Sequence, residues 1–227
     1  MGSIFLRAFS FVLIILIGAF LRNIGMLDER HADGVRKMLM NVTLPASIIV
    51  NFAVTAELNL TLVFLIFWGF AVDALMLAAA LCITRAFPSD RDSVYQFGIP
   101  CLNVGTFVMP FIQSFLPGLG VVSACCFDTG NAVMCTGGVY AYITGRKNGR
   151  FDFAYGARKL LSSVPLITYV GMFLFTMCGG RLPEAAITLL TPMAQANMFM
   201  AMFMIGLYFR LDIRPEYVKS SALVLGV

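Results

Sequence analysis

The stretch Tyr95-Gln-Phe-Gly98-Ile-Pro100-Cys-Leu-Asn103-Val-Gly105-Thr-Phe-Val-Met-Pro110-Phe lies inside an apolar segment, residues 93 to 116, that is long enough to cross a membrane. Proline removes a backbone donor and clashes with the preceding helical turn, so Pro100 and Pro110 interrupt any helix running through the segment. Bilayer hydrocarbon offers no water to the backbone groups so released, and irregular chain survives there only when buried in protein or lining a polar cavity. Broken membrane helices aim their dipole ends and freed amides at ligands. The stretch therefore predicts a broken helix with a binding site at Asn103, Gly105 and Pro110.

Working outward, the whole chain is too apolar for an ordinary soluble domain, with 59% hydrophobic and 12% charged residues and a mean hydropathy of +0.87. Its apolar residues fall in blocks of roughly 20, the length of a membrane span. Complete spans are predicted near residues 4–21, 38–56, 60–84, 93–116, 119–143, 160–178 and 184–209. An eighth is expected to begin at Ser221 and to be unfinished at Val227. The first span has no small-residue cleavage signature and runs into the charged loop Arg22 to Lys37, which predicts an uncleaved helix and not a signal peptide.

Loop charge predicts the orientation. Of the sixteen basic residues all but Arg7 and Arg181 follow an odd-numbered span: Arg22, Arg30, Arg36 and Lys37; Arg85 and Arg91; Arg146, Lys147, Arg150, Arg158 and Lys159; Arg210, Arg214 and Lys219. The positive-inside rule puts those loops in the cytoplasm and the amino terminus outside, in a multi-pass protein of the plasma membrane. The net charge of +4 is then a topology signal, with no reason to expect nucleic acid as a partner. Cys82, Cys101, Cys125, Cys126, Cys135 and Cys178 all fall within spans with no Cys-x-x-Cys pair, which supports neither a disulfide framework nor a metal site. No metal or other cofactor is expected.

A repeat is visible between two spans. Span 2 contains Asn41-Val-Thr-Leu-Pro45-Ala-Ser-Ile-Ile-Val-Asn51 and span 7 contains Leu190-Thr-Pro192-Met-Ala-Gln-Ala-Asn197, each with a proline followed by an amide five or six residues later. The spans before them also match loosely, Ile17-Gly18-Ala19-Phe20-Leu21 against Val170-Gly171-Met172-Phe173-Leu174. Spans 1 and 2 matching spans 6 and 7 makes a five-helix repeat, and an odd number of crossings inverts the second copy, a design common among transporters. The repeats would run over residues 1–158 and 159–227.

Span 5 adds two polar groups. Phe127-Asp128-Thr129-Gly130-Asn131 sets a carboxylate and an amide three residues apart, hence on one helical face, with Cys135, Gly138 and Tyr142 continuing it. Asp73, in Trp68-Gly-Phe-Ala-Val-Asp73, is a second acid within a span. A carboxylate at membrane depth costs on the order of 2.5 to 3.5 kcal/mol on insertion scales and normally faces a partner or a polar cavity. The alternative is that each acid is a structural cap or an interhelical hydrogen-bond partner.

These residues resemble a known family. Phe127-Asp-Thr-Gly-Asn-Ala-Val-Met-Cys-Thr-Gly-Gly-Val-Tyr-Ala141 is similar to the fifth-helix signature of the auxin efflux carrier family of permeases. Asn103-x-Gly105-x-x-x-x-Pro110 resembles its fourth helix, with Val108 where the family has a glycine, and Leu44-Pro45-Ala46 with Asn51-Phe52-Ala53 resembles its second. The resemblance covers nearly the whole chain and implies an all-helical, ten-helix inverted-repeat fold like that of bile-acid symporters. In such folds helices 1, 2, 6 and 7 form a scaffold, and the others form a core whose broken helices 4 and 9 cross near the membrane centre. Residues 1–227 would then hold the scaffold and half of the core.

The function so implied is secondary transport of a small organic anion such as a carboxylate, by elevator-like displacement of core against scaffold. Asn103 with the amides freed around Gly105 and Pro110 would hold the carboxylate, and Asn51 and Asn197 would line the scaffold side. Asp128 with Asn131, or Asp73, would carry a coupling proton or sodium ion. Two copies would pair through the scaffold helices. A ligand sensor with a transporter fold is the alternative. A channel would show a continuous polar stripe or a ring of charge. An enzyme would need a nucleophile with a base or a metal set, and the spans contain no histidine.

Overall fold

The computed structural model describes residues 2–55, 61–88, 92–139, 157–158 and 160–209. All the secondary structure among the described residues is helical. Helix α1 spans Gly2–Asn23. Helix α2, Glu29–Met38, passes through a π-helical turn, Leu39–Thr43, into α3, Leu44–Val54. Helix α4 runs Thr61–Ala86 and α5 Asp92–Gly98. A second π turn, Val104–Val108, leads into α6, Met109–Phe115, and α7, Leu119–Ala132, continues as a third, Val133–Val139. Helices α8, Val164–Met177, and α9, Glu184–Tyr208, follow.

Among the described residues five helical stretches are long and apolar enough to cross a membrane: Phe5–Asn23, Glu29–Val54, Thr61–Ala86, Leu119–Val139 and Glu184–Tyr208. This is compatible with a multi-pass membrane protein. Five of the seven predicted spans match these stretches to within a few residues at most ends, apart from the amino-terminal start of the second, where α2 adds about two and a half turns. The sixth appears as the shorter apolar helix Val164–Met177. The fourth is broken, as its prolines and glycines predict. Helix α5 stops at Gly98, the chain is irregular through residues 99–103, and helix resumes at Val104. Ser221 to Val227, Tyr142 and the basic residues Arg91, Arg146, Lys147, Arg150, Lys159, Arg210, Arg214 and Lys219 lie outside the described residues.

The prolines explain two of the π turns. Pro45 and Pro110 each sit in the first turn of the helix that follows a π turn. The wider π winding accommodates a ring whose nitrogen carries no hydrogen and which crowds the carbonyl four residues back. Pro192 lies inside α9 without ending it.

The chain divides into two compact units. The first gathers the described residues of 1–58, 103–125 and 167–210. In it α1 packs along α9 at a small-residue crossing: the Cα of Gly206 is 3.1 Å from where a side chain on Gly18 would begin. Buried Phe11, Leu39, Ala201 and Met202 form its apolar centre. Phe11 sets its edge against Phe111 at 5.0 Å between ring centroids and against Phe115 at 6.1 Å. Arg22 closes one end, donating to the Leu207 carbonyl at 2.9 Å among the last carbonyls of α9, where a cation also meets the helix dipole favourably. In the same unit Tyr208 donates to Asp33 at 2.9 Å.

The second unit gathers the described residues of 59–102 and 126–166. Helices α4 and α7 cross within it with backbones in contact at Gly69 and Gly130. Leu77, Met134 and Val139 are buried together beyond that crossing. Gln96 of α5 donates to Thr84 of α4 at 2.9 Å, a buried polar pair that ties the short helix to the long one.

Outside both centres the chain is apolar. Phe5, Leu6, Phe9, Leu13, Leu16 and Phe20 form an exposed stripe along α1, and Phe64, Phe67, Trp68 and Leu75 do the same on α4. Hydrocarbon tails stabilise such surfaces, whereas contiguous apolar patches of this kind are rare on soluble monomers.

Candidate functional site

Among the described residues each unit holds a cluster of interconnected polar side chains between apolar helices. In the first unit the cluster begins at Thr43, in the π turn before α3, whose hydroxyl donates to Asn197 Oδ1 of α9 at 3.1 Å. Asn197 Nδ2 donates to Gln113 Oε1 of α6 at 3.1 Å, and Gln113 Nε2 donates in turn to Ser47 Oγ of α3. Asn51 Nδ2, one turn further along α3, donates to the Ser47 carbonyl at 2.8 Å. Its Oδ1 accepts the Gly118 amide at 3.1 Å. Gly118 has φ +72°, the left-handed conformation that lets the chain turn tightly from α6 to α7. Thr43, Ser47 and Asn197 are buried. Because each member has its partners, the network fixes α3, α6 and α9 against one another.

Beside this network lies a cavity of about 480 Å³, lined by Arg7, Ser47, Asn51, Gln113, Thr191 and Gln195 together with apolar side chains. Arg7 of α1 donates to the Ser114 carbonyl at 2.6 Å, near the carboxyl end of α6.

In the second unit the cluster sits at the α4–α7 crossing. Asn131 Nδ2 donates to Asp128 Oδ1 at 2.8 Å and to the Leu102 carbonyl at 2.9 Å. That carbonyl belongs to the irregular segment, so one side chain of α7 ties the helix break to a buried acid. Cys135 Sγ stands 3.7 Å from Asn131 Oδ1. Asp73 of α4 completes the group. It is fully buried, lies within electrostatic reach of Asp128, and neither carboxyl oxygen has a hydrogen-bond donor among the described residues. Gly69, one helical turn before Asp73, lies against the Phe127 carbonyl and the Asn131 amide, which puts Asp73 on the α4 face turned to α7.

The structure thus sorts the sequence-predicted residues. Asp73, Asp128 and Asn131 come together in the second unit. Asn51 and Asn197 come together in the first, joined through Ser47 and Gln113, which sequence reasoning passed over, as it did Thr43. Gly105 is half-buried and Pro110 buried within the half-helix that carries Gln113 to this network, while Asn103 is exposed at its start, with φ −89° and ψ +70°. The signal for the missed residues was available: polar side chains in apolar spans normally face a partner or a polar cavity. No group of His, Cys, Asp and Glu among the described residues is arranged to hold a metal ion. No family model matches the chain, and no curated protein or solved structure matches it.

Proposed function

We propose that this chain belongs to a secondary carrier of a small organic anion, built on the ten-helix inverted-repeat fold of the auxin efflux carrier family and lying in the plasma membrane with its amino terminus outside. One observation carries the reading. A membrane-length segment is broken at residues 99–103, and the break is tied through Asn131 to Asp128 beside the buried carboxyl of Asp73, which has no donor among the described residues. A buried carboxylate without donors is strongly disfavoured unless a proton or a cation meets it. Irregular backbone next to such a group is the arrangement in which transporters exchange a coupling ion.

On this reading Asp73 takes the proton or sodium ion. Asp128 and Asn131 hold the broken helix in place while it does so. The anion lies against the half-helix that starts at Asn103, whose exposed position suits a ligand that enters from water, and Gly105 leaves its amide open to close approach. Asn51 and Asn197 serve the scaffold by fixing α3 and α9 through Gln113.

The test is flux. The full-length protein, reconstituted in proteoliposomes with labelled mono- and dicarboxylates, should take up at least one of them faster under an imposed proton or sodium gradient than without it. Binding of a carboxylate with no uptake under either gradient would overturn the carrier reading in favour of a ligand sensor.

A further inference from the structure

The second site concerns Arg7 and lies wholly within the first unit. Arg7 is five residues into α1, about 7.5 Å along the helix axis from its start, and no carboxylate pairs with it among the described residues. Of its five donors the structure engages one, on the Ser114 carbonyl. The guanidinium lines the cavity of about 480 Å³, within the usual size range for small-molecule sites.

The rest of the lining is divided by chemistry. Ser10, whose hydroxyl donates to the Arg7 carbonyl at 2.7 Å, and the exposed Gln195 line the cavity with Arg7, and Phe11, Val50 and Met198 add apolar surface. Ser47, Asn51 and Gln113 also line the cavity, and the Asn51 and Gln113 amides both donate to Ser47. The cavity therefore offers the guanidinium's free donors together with hydrocarbon surface. An unpaired guanidinium recognises carboxylate and phosphate oxygens through paired N–H donors. A neutral polar ligand would leave that charge uncompensated.

We infer that this cavity is a binding site for an amphiphilic anion, its carboxylate or phosphate on Arg7 with Gln195 and its apolar body against Phe11, Val50 and Met198. The site does not rest on the transport reading, since it uses none of the residues at the helix break and is read by binding alone. Its ligand has two sources, a free organic anion from water or the headgroup and upper chain of an anionic lipid.

Fluorescence of 11-(dansylamino)undecanoate bound to the full-length protein in nanodiscs separates these. In phosphatidylcholine discs the probe should bind saturably, and octanoate should displace it while octanol does not. Discs containing phosphatidylglycerol should weaken probe binding if lipid is the occupant and leave it unchanged if the occupant is a free anion. Arg7→Gln should weaken the probe about tenfold or more. Arg7→Lys, which keeps the charge but not the paired donors, should bind the probe more weakly than the unsubstituted protein and more tightly than Arg7→Gln, and Ala194→Trp, which fills the cavity without changing charge, should abolish binding. Equal affinity in Arg7→Gln and the unsubstituted protein, or displacement by octanol as effective as by octanoate, would overturn the site whatever the flux assay shows.

Discussion

Gly69 and Gly130 bring the backbones of α4 and α7 into direct contact: a methyl group on Gly69 would run into the Phe127 carbonyl oxygen, and one on Gly130 into that of Ile66 with the Phe70 nitrogen 2.7 Å away. Small residues at a membrane helix crossing allow this approach, and packing there replaces the hydrophobic driving force that lipid cannot supply. The crossing also sets Asp73 against the α7 face that carries Asn131.

The first prediction is that Gly130→Ala destabilises the protein by about 1 to 3 kcal/mol, the usual cost of overpacking against atoms that cannot move aside. Gly171→Ala is the control, because Gly171 is exposed within α8 with nothing within 4 Å of the added atom, and it should leave stability unchanged or raise it by up to about 1 kcal/mol, the helix-propensity gain of alanine over glycine. Thermal unfolding in detergent reads both. Equal melting temperatures for the two variants would show that α4 and α7 are not in contact at Gly130.

The second prediction concerns Asn131, which spends its amide hydrogens on Asp128 and the Leu102 carbonyl. Asn131→Leu leaves buried Asp128 and the part-buried Leu102 carbonyl without that donor and should cost about 1 to 3 kcal/mol. Asn131→Asp should cost more, since it sets like charge beside Asp128. The order of the two melting temperatures is the measurement, and an aspartate variant as stable as the leucine variant would place Asp128 out of reach of position 131.

Much of this arrangement is legible in the sequence, because it depends on local pattern. Apolar length located the spans, Pro100 with Gly98 located the break, and the three-residue spacing of Asp128 and Asn131 placed them on one face. What escaped depends on meetings between distant positions. Gln113 meets Asn197 and Ser47 only through the packing of α6 against α9 and α3, and nothing local in Phe111-Ile-Gln113-Ser114 specifies those partners. The π turn Val133–Val139 carries no proline to announce it. Gly69 was visible as a glycine but its partner was not, since only the α4–α7 crossing pairs it with Gly130.

The third prediction is a pH dependence at the start of α2. Asp28 caps the helix, accepting the amides of Arg30 at 2.8 Å and His31 at 3.1 Å. Hydrogen bonds from the His31 backbone and side chain hold its carboxyl below the ordinary value of 3.8. A value lowered by folding contributes stability that is present above 3.8 and is lost as pH falls below it through the folded value. Asp28→Asn keeps an acceptor at the cap but does not titrate. The stability difference between the unsubstituted protein and this variant should be constant at neutral pH and shrink under acid. A difference that grows under acid would assign the cap to another group.

The last prediction separates the two buried acids. Asp128 has Asn131 as a donor, so its carboxylate is held by the protein, whereas Asp73 has no donor for either oxygen among the described residues. A group that exchanges a coupling ion must be stable both with and without it, and a carboxyl fully engaged by protein donors has less to gain from a cation. Asp73→Asn should therefore fold at least as well as the unsubstituted protein, because it removes the cost of a buried charge, and should keep anion binding while losing the dependence of uptake on the ion gradient. Asp128→Asn should instead lower the melting temperature by weakening the tie to the helix break, with gradient dependence retained in the molecules that fold. Uptake in proteoliposomes with and without the gradient, set beside thermal unfolding of each variant, decides the matter: gradient-driven uptake that survives in Asp73→Asn and disappears in folded Asp128→Asn would move the coupling ion to Asp128.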